Sequence, residues 1–459
     1  MAVSPGLTGQ QRRHLEEIWT REEAAFRQRI PKSLALGSTA RHYMPNGVPM
    51  AWMAGYYRTP PLWVSHGSGA AFTDVDGQSY IDFNVGDMST ILGYAHPRLT
   101  QVIADQAARS VAMFLPIEAA MVLCEQLRLR FGLPMWQFTT SASAANLEAL
   151  RIARLATGRQ GVLLFSGKYH GMLDETLWSD EDGVLAPEAL GVAATPPPDL
   201  SVVDFNDLDA VDSVLRRERT SAVLTEGVLT NAGTVLPDPG FLAGVRELCS
   251  RHGTLLILDE THTLCDLYGG AVAHYGISPD IVTGGKGIAG GIPMGAYGMT
   301  AGLGALVAQN LSDEAGNTHG VALGGTLFAN ALSLACAAVV LAELMTPAEH
   351  DRIAGLGQLL ADGIEAATRD HGLDWRAHRF GARTGYCLQP ELPRNANEAH
   401  ASLDPLFSDT RRVYFANRGL WDAIGTSGPH PGFAYQPADI DLYLGCLDEF
   451  LTEMCRGRP

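Results

Sequence analysis

Lysine is nearly absent from this sequence. Its 33 basic residues include only Lys32, Lys168 and Lys286 as lysines. A solvated surface would normally use more of them, so Lys286, which stands among the glycines of residues 284–291, is not expected to serve only as surface. An amine in such a place can form a Schiff base with an aldehyde cofactor if its surroundings keep part of it neutral. From this residue alone, a loop lysine paired with an acid is the competing interpretation.

Other missing features exclude several classes of protein. The seven cysteines contain no Cys-x-x-Cys pair, so the sequence predicts neither a metal site nor a disulfide framework, and buried thiols favour a reducing compartment. No uninterrupted apolar run approaches the roughly 20 residues of a membrane span. The charged N-terminal stretch lacks the apolar segment of a signal peptide. We therefore expect a cytoplasmic protein without a bound metal.

Acidic residues outnumber basic ones by 50 to 33, which gives a formal net charge of −17. This balance argues against nucleic acid or an anionic membrane as a partner, because both carry negative charge. The 46% hydrophobic and 18% charged residues of the 459-residue chain are typical of a globular protein large enough for two domains. Neither nucleic acid nor a membrane is therefore expected as a partner, and small-molecule partners follow only from the family resemblance given below.

Short apolar segments alternate with amphipathic ones along the middle of the chain. The pattern predicts strands at 161–165, 221–225 and 254–258, and helices at 143–156 and 240–252. This alternation is typical of an α/β fold with a mostly parallel sheet covered by helices on both faces. Outside this region, the sequence predicts a hairpin at 71–82 that turns at Asp76-Gly77, and helices at 11–30, 97–110, 117–131 and from Asn330 onward.

The same pattern suggests how the chain divides into domains. Residues 71–330 are predicted to form a large domain, residues 331–459 a smaller C-terminal domain, and residues 1–70 a segment that packs with the smaller one. Between the first helix and residue 70 the sequence is irregular and rich in aromatic residues such as Trp52 and Tyr57. These aromatic side chains either contact a substrate or pack against a neighbouring domain or subunit.

Asp259 follows the apolar run of residues 255–258. A carboxylate at the carboxyl end of a central strand lies where open α/β sheets bind ligands, and it can keep a pyridine nitrogen protonated. A helix cap or a magnesium ligand is the alternative, because Asp259-Glu260 after an apolar strand also resembles a Walker B motif. No Gly-x-x-x-x-Gly-Lys-Ser/Thr loop accompanies it, since Lys286 is followed by Gly287, and this weakens the nucleotide interpretation.

Hydroxyl groups gather before the helix that starts near Ala144, in residues 139–143. Hydroxyls and free backbone N–H groups at a helix N-terminus suit a phosphate. Ordinary N-capping by Ser141 or Ser143 is compatible with the same residues and is the more common role of such hydroxyls. A second hydroxyl, that of Thr326 after two glycines, could approach the same phosphate. Tyr169 could stack on an aromatic cofactor or pack between domains.

Motifs of other enzyme classes are missing. The sequence has no His-Glu-x-x-His and no Gly-x-Ser-x-Gly, which argues against zinc proteases and α/β-hydrolases. Residues 285–290 match Gly-x-Gly-x-x-Gly, but Pro293 follows closely and the segment is not expected to open a helix. A dinucleotide site is therefore not predicted.

Together these residues resemble the class III aminotransferases of fold type I, especially the branch around glutamate-1-semialdehyde aminomutase. Residues 226–233 are similar to the family's Glu-Pro-x-x-Gly-Asn-x-Gly run, and Asp259-Glu260-Thr261 to its Asp-Glu-Val. Gly285-Lys286 is similar to its Gly-Lys, and residues 325–330 to its Gly-Thr-x-x-x-Asn. The resemblance implies an α/β fold of type I with a smaller α+β domain, pyridoxal 5'-phosphate as cofactor, and a homodimer with its active sites at the interface.

The resemblance also implies a role for each matching residue. Lys286 would hold the cofactor as a Schiff base and move the proton, and Asp259 would pair with the pyridine nitrogen. Tyr169 would stack on the ring, and Thr326 would reach the phosphate of the partner subunit. The remaining cofactor contacts implied by the match are Ser141, Ala142, Ser143, Glu226, Asn231 and Thr261.

Several positions depart from the family pattern. Ser141–Ala145 replaces Ser-Gly-Thr-Glu-Ala, so the usual glutamate is absent; Gly227 replaces a proline, and Thr261 replaces a valine. These changes bear on the substrate, for which Trp52, Tyr57, Arg58 and His262 are the candidate contacts. Arg58 or Arg383 could bind a substrate carboxylate.

The leading functional hypothesis is an aminotransferase that moves an amino group from an amine or amino acid to a keto acid. An aminomutase, which moves the group within one molecule, is the alternative, and an ammonia-lyase on the same scaffold is a third possibility. A hypothesis from a different class is a scaffold protein without turnover, which the altered Ser141–Ala145 loop motivates.

Overall fold

The computed structural model describes residues 6–55, 59–181, 183–311, 320–422 and 428–457. The chain forms two compact units. The first consists of Met1–His96, Asp351–Pro393 and Glu398–Pro459, and the second of Pro97–His350 with Arg394–Asn397. The domain boundaries near residues 70 and 330 stay a prediction.

Strands and helices are interspersed along the described residues. In chain order, the strands are β1 (Val64–Ser68), β2 (Ala71–Asp74), β3 (Ser79–Asp82), β4 (Met135–Thr139), β5 (Gly161–Phe165), β6 (Trp178–Glu181), β7 (Val184–Pro187), β8 (Ser201–Val203), β9 (Thr220–Glu226), β10 (Leu255–Asp259), β11 (Ile281–Gly284), β12 (Gly295–Met299), β13 (Arg376–Phe380), β14 (Arg383–Cys387) and β15 (Leu420–Trp421). The α-helices are α1 (Gly9–Arg29), α2 (Pro31–Ala40), α3 (Trp52–Gly55), α4 (Pro97–Ala107), α5 (Ala119–Phe131), α6 (Ala142–Thr157), α7 (Leu208–Leu215), α8 (Phe241–His252), α9 (Thr263–Asp266), α10 (Gly270–Tyr275), α11 (Ala301–Gln309), α12 (Ala331–Val339), α13 (Pro347–Asp370), α14 (Ala396–Ala401), α15 (Pro405–Ala416) and α16 (Pro437–Met454). Turns of 3₁₀ helix lie at Pro45–Gly47, Asp174–Thr176 and Lys286–Ala289, and a π-helical turn at Val340–Leu344.

The second unit is built on a seven-stranded sheet with the order β4-β12-β11-β10-β9-β5-β8. Strands β8, β5, β9, β10 and β11 pair in parallel, whereas β12 is antiparallel to both of its neighbours. Every residue of β5, β9, β11 and β12 is buried, as expected for strands covered on both faces. The predicted mostly parallel α/β sheet is confirmed.

Helix α6 packs on this sheet and positions much of the candidate site. Its buried side chains, among them Leu150 and Ile152, join the strand residues Val162, Leu164 and Ile257 in one apolar core. Full burial of a leucine or isoleucine side chain stabilises the fold by about 1.5–3 kcal/mol relative to exposure. The helix begins after Ser141, whose hydroxyl accepts the N–H of Ala144, and ends at the left-handed Gly158. Core packing and caps therefore fix both the place and the length of α6.

Several predicted elements agree with the structure to within a few residues. The predicted strand 161–165 coincides with β5, and the predicted helix 143–156 corresponds to α6. The predicted helix after Asn330 begins as expected, but its α-helical part ends at Val339 and continues as the π-helical turn. The Gly-rich segment at 285–290 forms a single 3₁₀ turn and no α-helix.

The first unit combines helices with small sheets. Its four-stranded sheet has the order β1-β2-β3-β15, and the predicted hairpin of β2 and β3 turns where Asp74 Oδ1 accepts the N–H groups of Asp76 and Gln78. Helix α1 packs against α15 and α16, and Asn417 donates to the carbonyl oxygen of Glu22 at 2.9 Å. No single helix of the described chain is long and apolar enough to cross a membrane; Ala331–Leu344 and Pro347–Asp370 pass that test only together, as a bent pair.

Candidate active site

The carboxyl ends of three neighbouring parallel strands bring the candidate residues together. Asp259, the last residue of β10, is in register with Glu226 at the end of β9 and with Thr283 near the end of β11. Lys286 follows β11 after one further glycine. Parallel strands place their carboxyl ends at one edge of the sheet, so the acid and the lysine lie at the same edge, as the sequence predicted.

Asp259 is buried and receives three hydrogen bonds. Its Oδ2 accepts from Nδ2 of Asn146 at 2.8 Å and from Nδ1 of His170 at 2.9 Å, and its Oδ1 accepts from the backbone N–H of Thr261 at 3.0 Å. The amide of Asn146 is itself oriented, because its Oδ1 accepts the hydroxyl of Thr283 at 2.6 Å. The carboxylate is therefore held in one orientation by groups from three different elements.

These contacts decide the ionisation of Asp259. Burial acts to raise the pKa of this carboxyl, but the hydrogen bond and charge of His170, with the bonds from Thr261 and Asn146, outweigh it and lower the pKa below its ordinary value. Hydrogen bonds to the charged form of an acid favour that form. Asp259 is thus an anion that can pair with a protonated ring nitrogen.

Two polar atoms beside Asp259 lack a hydrogen-bond partner among the described residues. They are Nε2 of His170 and Oγ1 of Thr261, and both are buried. An unsatisfied buried polar group costs about 1–3 kcal/mol. The Thr261 hydroxyl stands where the resemblance expects a valine, so it adds hydrogen-bonding capacity to this side of the site.

The N-terminus of α6 is where the sequence predicts a phosphate site. The Ser141 hydroxyl accepts the N–H of Ala144 and so caps the helix, which was the alternative role for this residue. Oγ of Ser143 accepts the N–H of Met172 at 3.1 Å. Glycines allow the surrounding backbone to come close. A Cβ added to Gly171 would lie 2.1 Å from Oγ of Ser143, and one added to Gly285 would lie 2.9 Å from Cβ of Ala142.

Gly285, which precedes Lys286, thus lies directly against Ala142 at the start of α6. Lys286 has φ of +47°, a left-handed conformation that costs a residue with a Cβ free energy. The buried residues Gly287, Ile288 and Ala289 of the same 3₁₀ turn fix it there. Strained backbone of this kind clusters at functional sites, which favours a chemical role for the half-buried Lys286 over a loop lysine.

A second hydrogen-bonded chain runs through Glu226, Thr230 and His262. Oε2 of Glu226 accepts the Thr230 hydroxyl at 2.8 Å, and the same hydroxyl is bonded to Nδ1 of His262. Oε1 of Glu226 accepts the backbone N–H of Tyr169 at 3.2 Å. A hydroxyl carries one proton, so His262 Nδ1 must donate while Thr230 donates to Glu226.

Burial is the main cause that raises the pKa of Glu226, to about 7; the nearby charge of His170 lowers it and that of Asp259 raises it further. Glu260, the neighbour of Asp259, is also fully buried, and burial raises its pKa to about 7. It accepts the N–H groups of Ala271 and Val272 at 3.0 and 2.7 Å. Glu260 therefore holds the start of α10, whereas Asp259 faces the candidate site.

The remaining predicted residues differ in their exposure and in the unit to which they belong. Tyr169 is 42% exposed after β5, and Asn231 and Thr326 are exposed. Trp52 lies in α3 of the first unit and is 46% exposed, whereas Arg383 is buried on β14. Tyr57 and Arg58 lie outside the described residues, so their predicted substrate contacts stay predictions.

Sequence inspection missed four residues that the geometry brings to the site. They are His170, Asn146, Thr230 and Thr283. His170 had a signal, because it follows Tyr169 in a short Tyr-His-Gly run at a strand end. Thr230 stood in the run that resembles the family motif, four residues after its partner Glu226. Asn146 and Thr283 gave no signal, because their partners are far away in sequence.

The comparisons with known proteins agree with this geometry. The family model "Aminotransferase class-III" matches residues 53–385. The chain belongs to the class III aminotransferase family. A glutamate-1-semialdehyde 2,1-aminomutase of Roseiflexus castenholzii is 35% identical over 370 residues, which cover 78% of this chain and 83% of that protein. One from Desulfatibacillum aliphaticivorans is 33% identical, with coverage of 77% and 83%.

Solved structures show the same likeness over nearly the whole chain. A glutamate-1-semialdehyde aminomutase from Pseudomonas aeruginosa PAO1 in complex with PMP has a TM-score of 0.91 and 35% identity, and covers 96% of this chain and 98% of that one. A β-phenylalanine aminotransferase from Variovorax paradoxus has a TM-score of 0.83 and 25% identity, with coverage of 95% and 97%. The chain is thus a fold type I enzyme of the aminomutase-like branch, and its cofactor is pyridoxal phosphate.

The residues present fit this cofactor. The ionised Asp259 suits a protonated pyridine nitrogen, the start of α6 suits a phosphate, and the backbone around Lys286 lies against that start. These features sit within one compact unit. The predicted fold, family and cofactor are confirmed.

Proposed function

We propose that this protein is an aminomutase, which moves an amino group between neighbouring carbons of one substrate. The observation that carries the proposal is the likeness to glutamate-1-semialdehyde aminomutases, which extends over 96% of the chain at 35% identity. It favours the aminomutase over the aminotransferase that led the sequence-based hypotheses. Glutamate-1-semialdehyde is the proposed substrate, because it is the substrate named for these relatives.

Lys286, Asp259 and the start of α6 would hold the cofactor at three points. Pyridoxal phosphate supplies a ring that accepts electrons and so stabilises negative charge on the carbon that bears the amine. Asp259 would keep that ring electron-poor by pairing with its protonated nitrogen, and residues 141–143 would bind the phosphate with hydroxyls and backbone N–H groups. Tyr169 and Thr261 would contact the ring, with Asn231 and Glu226 nearby along the strand end.

Lys286 is the proposed proton carrier. Its amine would hold the cofactor, and an amine of this kind can carry a carbonyl group as a Schiff base. With the cofactor bound, Nζ of Lys286 would take up and return the protons that substrate carbons lose and gain, while the cofactor would carry the amino group. His170 and Asn146 hold Asp259 in place during these steps but do not themselves exchange protons with the substrate.

A homodimer is proposed for the active form. The second unit exposes apolar side chains on one continuous stretch of chain, namely Val111, Met113, Phe114, Leu115, Met121 and Val122. This stretch adjoins the start of α12, because the N–H of Leu332 donates to the carbonyl oxygen of Val111. Leu327, beside Thr326, is 60% exposed. Clustered exposed apolar residues are typical of an interface, and here they accompany the residue proposed to reach the partner subunit's phosphate.

An aminotransferase remains the second candidate. The likeness to a β-phenylalanine aminotransferase over 95% of the chain supports it. An ammonia-lyase would share the same proton carrier. All three activities begin with the same removal of a proton, so they differ in the need for an acceptor and in the release of ammonia.

The test uses the purified enzyme with glutamate-1-semialdehyde, with and without pyruvate or 2-oxoglutarate. An aminomutase is expected to give the isomer with the amino group on the neighbouring carbon at a rate that does not depend on the keto acid, without free ammonia. Lys286→Ala serves as the inactive control. Turnover that requires a keto acid, or that releases ammonia, would replace the proposal with the aminotransferase or the lyase. No turnover of any amine by the cofactor-loaded protein would support the scaffold hypothesis.

A further inference from the structure

The segment that leads to Thr326 is fastened along helix α6. Val321 and Leu323 pack against the apolar core that α6 shares with the sheet. The carbonyl oxygen of Ala322, which lies between these two residues, accepts a hydrogen bond from Nη1 of Arg151 at 2.7 Å. The N–H of Gly324, which follows them, donates to Oε1 of Glu148 at 2.5 Å. Apolar side chains on one side and backbone hydrogen bonds on the other thus hold residues 321–324 in one place.

Glu148 is an unusual residue for this position. It is only 4% exposed, and a buried carboxylate is costly unless hydrogen bonds compensate for the lost water. Its charge also lies near the hydroxyl of Tyr297, where burial first and this carboxylate second raise the pKa of the tyrosine. A hydrogen bond to an ionised acceptor is stronger than one between neutral groups. The Glu148 and Arg151 contacts are therefore both charge-assisted hydrogen bonds to the backbone of residues 322–324.

The fastened segment ends two residues before Thr326. Gly324 has φ of +93°, a conformation that glycine adopts without strain. Thr326 and Leu327 beyond it are exposed. Gly324, whose N–H Glu148 accepts, is thus the last fastened residue before the exposed Thr326.

We propose that Glu148 and Arg151 are positioning residues that aim Thr326 at the cofactor phosphate of the partner subunit. The inference rests on the proposed function, which includes the homodimer and the role of Thr326. It adds that one helix serves two sites: the start of α6 binds the phosphate of its own subunit, and its middle orients the contact to the other. Ala144 stands where the resemblance expects a glutamate, and Glu148 places a carboxylate one helical turn later on the same face.

Mixed dimers test this inference, because the effect must appear in the other subunit. Differently tagged chains are combined, and the visible absorbance of cofactor bound to Lys286 is titrated with pyridoxal phosphate. A Lys286→Ala chain cannot give this signal, so the absorbance comes only from the site with an intact Lys286. In the first mixture, a chain with Lys286→Ala pairs with a chain that carries Glu148→Ala. In the second, a chain with both substitutions pairs with the wild type.

We expect wild-type affinity in the first mixture, since the Lys286 site there receives Thr326 from a chain with intact Glu148. In the second mixture the wild-type site receives Thr326 from the altered chain, and its affinity should fall about tenfold, as expected for the loss of one charge-assisted hydrogen bond. Thr326→Ala in place of Glu148→Ala should give the same ranking. Equal affinities in the two mixtures, or the opposite ranking, would overturn the inference.

Further variants keep the result interpretable. Glu148→Gln retains an acceptor for the Gly324 N–H and should restore most of the affinity. Arg151→Ala should act in the same direction as Glu148→Ala and replaces it if that chain does not fold. Arg154→Ala is the matched control, because Arg154 lies on the same helix but binds Glu175 at 2.5 Å. A loss of cofactor affinity in the subunit that pairs with the Arg154→Ala chain would count against the inference. A wild-type protein that shows no such absorbance would instead disprove the proposed function, and the inference with it.

Discussion

His170 and Asp259 form a buried pair, with Nδ1 of the imidazole 2.9 Å from Oδ2 of the carboxylate. The pair joins the loop after β5 to the end of β10, two places that are 89 residues apart in the chain. Its consequence is electrostatic: a carboxyl that burial would neutralise is kept ionised. The proposed chemistry depends on that charge, since an uncharged Asp259 could not keep a ring nitrogen protonated.

His170→Leu should weaken cofactor binding. Loss of the hydrogen bond and charge leaves burial to raise the pKa of Asp259, and we expect the affinity for pyridoxal phosphate to fall about 10- to 100-fold. Absorbance titration of the cofactor-free protein measures this change. His252→Leu is the control. His252 also pairs with an aspartate, Asp212, at 3.1 Å, but it precedes the amino end of β10, whereas Asp259 lies at the carboxyl end. An unchanged affinity in His170→Leu would show that the pair does not govern Asp259.

Glu226 should make the folded protein less stable as the pH rises. Its folded pKa is raised to about 7, whereas an unfolded glutamate titrates near about 4.3. The folded state therefore favours the neutral acid, and this contribution is full below the unfolded pKa and lost as the pH rises through 7. The free energy of unfolding of wild type should fall relative to that of Glu226→Gln by about 3 kcal/mol between these limits.

Denaturant unfolding of both cofactor-free proteins between these two pH values measures that difference. Glu260, which has a raised pKa of its own, is present in both proteins, so its contribution cancels. The control is Glu247→Gln, whose carboxylate is 71% exposed. A constant difference between wild type and Glu226→Gln across the range would mean that Glu226 is ionised in the folded protein throughout.

The left-handed backbone at Lys286 predicts an order of stability between two inactive variants. Lys286→Gly and Lys286→Ala both remove the amine, but only glycine adopts φ of +47° without strain. We expect Lys286→Gly to be the more stable of the two by about 1 kcal/mol in thermal or denaturant unfolding. In an ordinary helical position, alanine would be the more stable residue by a similar amount, and that order would contradict the conformation described.

Thr261→Val should stabilise the cofactor-free protein. It removes a buried hydroxyl that has no hydrogen-bond partner among the described residues and keeps a side chain of similar shape, so a gain of about 1 kcal/mol in unfolding free energy is expected. Thr283→Val is the matched comparison, because the Thr283 hydroxyl donates to Asn146 at 2.6 Å and its loss should destabilise. A loss of stability in both variants would show that the Thr261 hydroxyl is satisfied.

Local sequence patterns predicted the elements that carry the site. The apolar run ending at Asp259 and the glycines around Lys286 were sufficient to place the acid and the lysine, because short buried strands and glycine-rich turns have strong local signals. Ser141 was one of the two predicted caps of α6, and the structure confirms it as the cap. The parallel arrangement followed from the alternation of strands and helices, and it brought the strand ends to one edge.

Contacts between distant side chains could not be predicted in this way. Asn146 and Asp259 are 113 residues apart and Glu148 and Gly324 are 176 apart, and a single sequence gives no sign of such pairs. The π-helical turn after Val339 was missed for a related reason. The small apolar residues continue through it, while the carbonyl oxygens of Leu341 and Met345 are bound by Arg130, more than two hundred residues earlier in the chain.

The most direct test of the proposed chemistry asks which lysine carries the cofactor. The purified protein is reduced with borohydride, digested, and analysed by mass spectrometry for peptides that carry the pyridoxyl phosphate group. The sequence makes this measurement clear, because Lys32, Lys168 and Lys286 are the only candidates. We expect the modification on Lys286, in a protein whose visible absorbance disappears on reduction. Modification of Lys168 or Lys32 instead, or no modified lysine in cofactor-loaded protein, would contradict the role of Lys286.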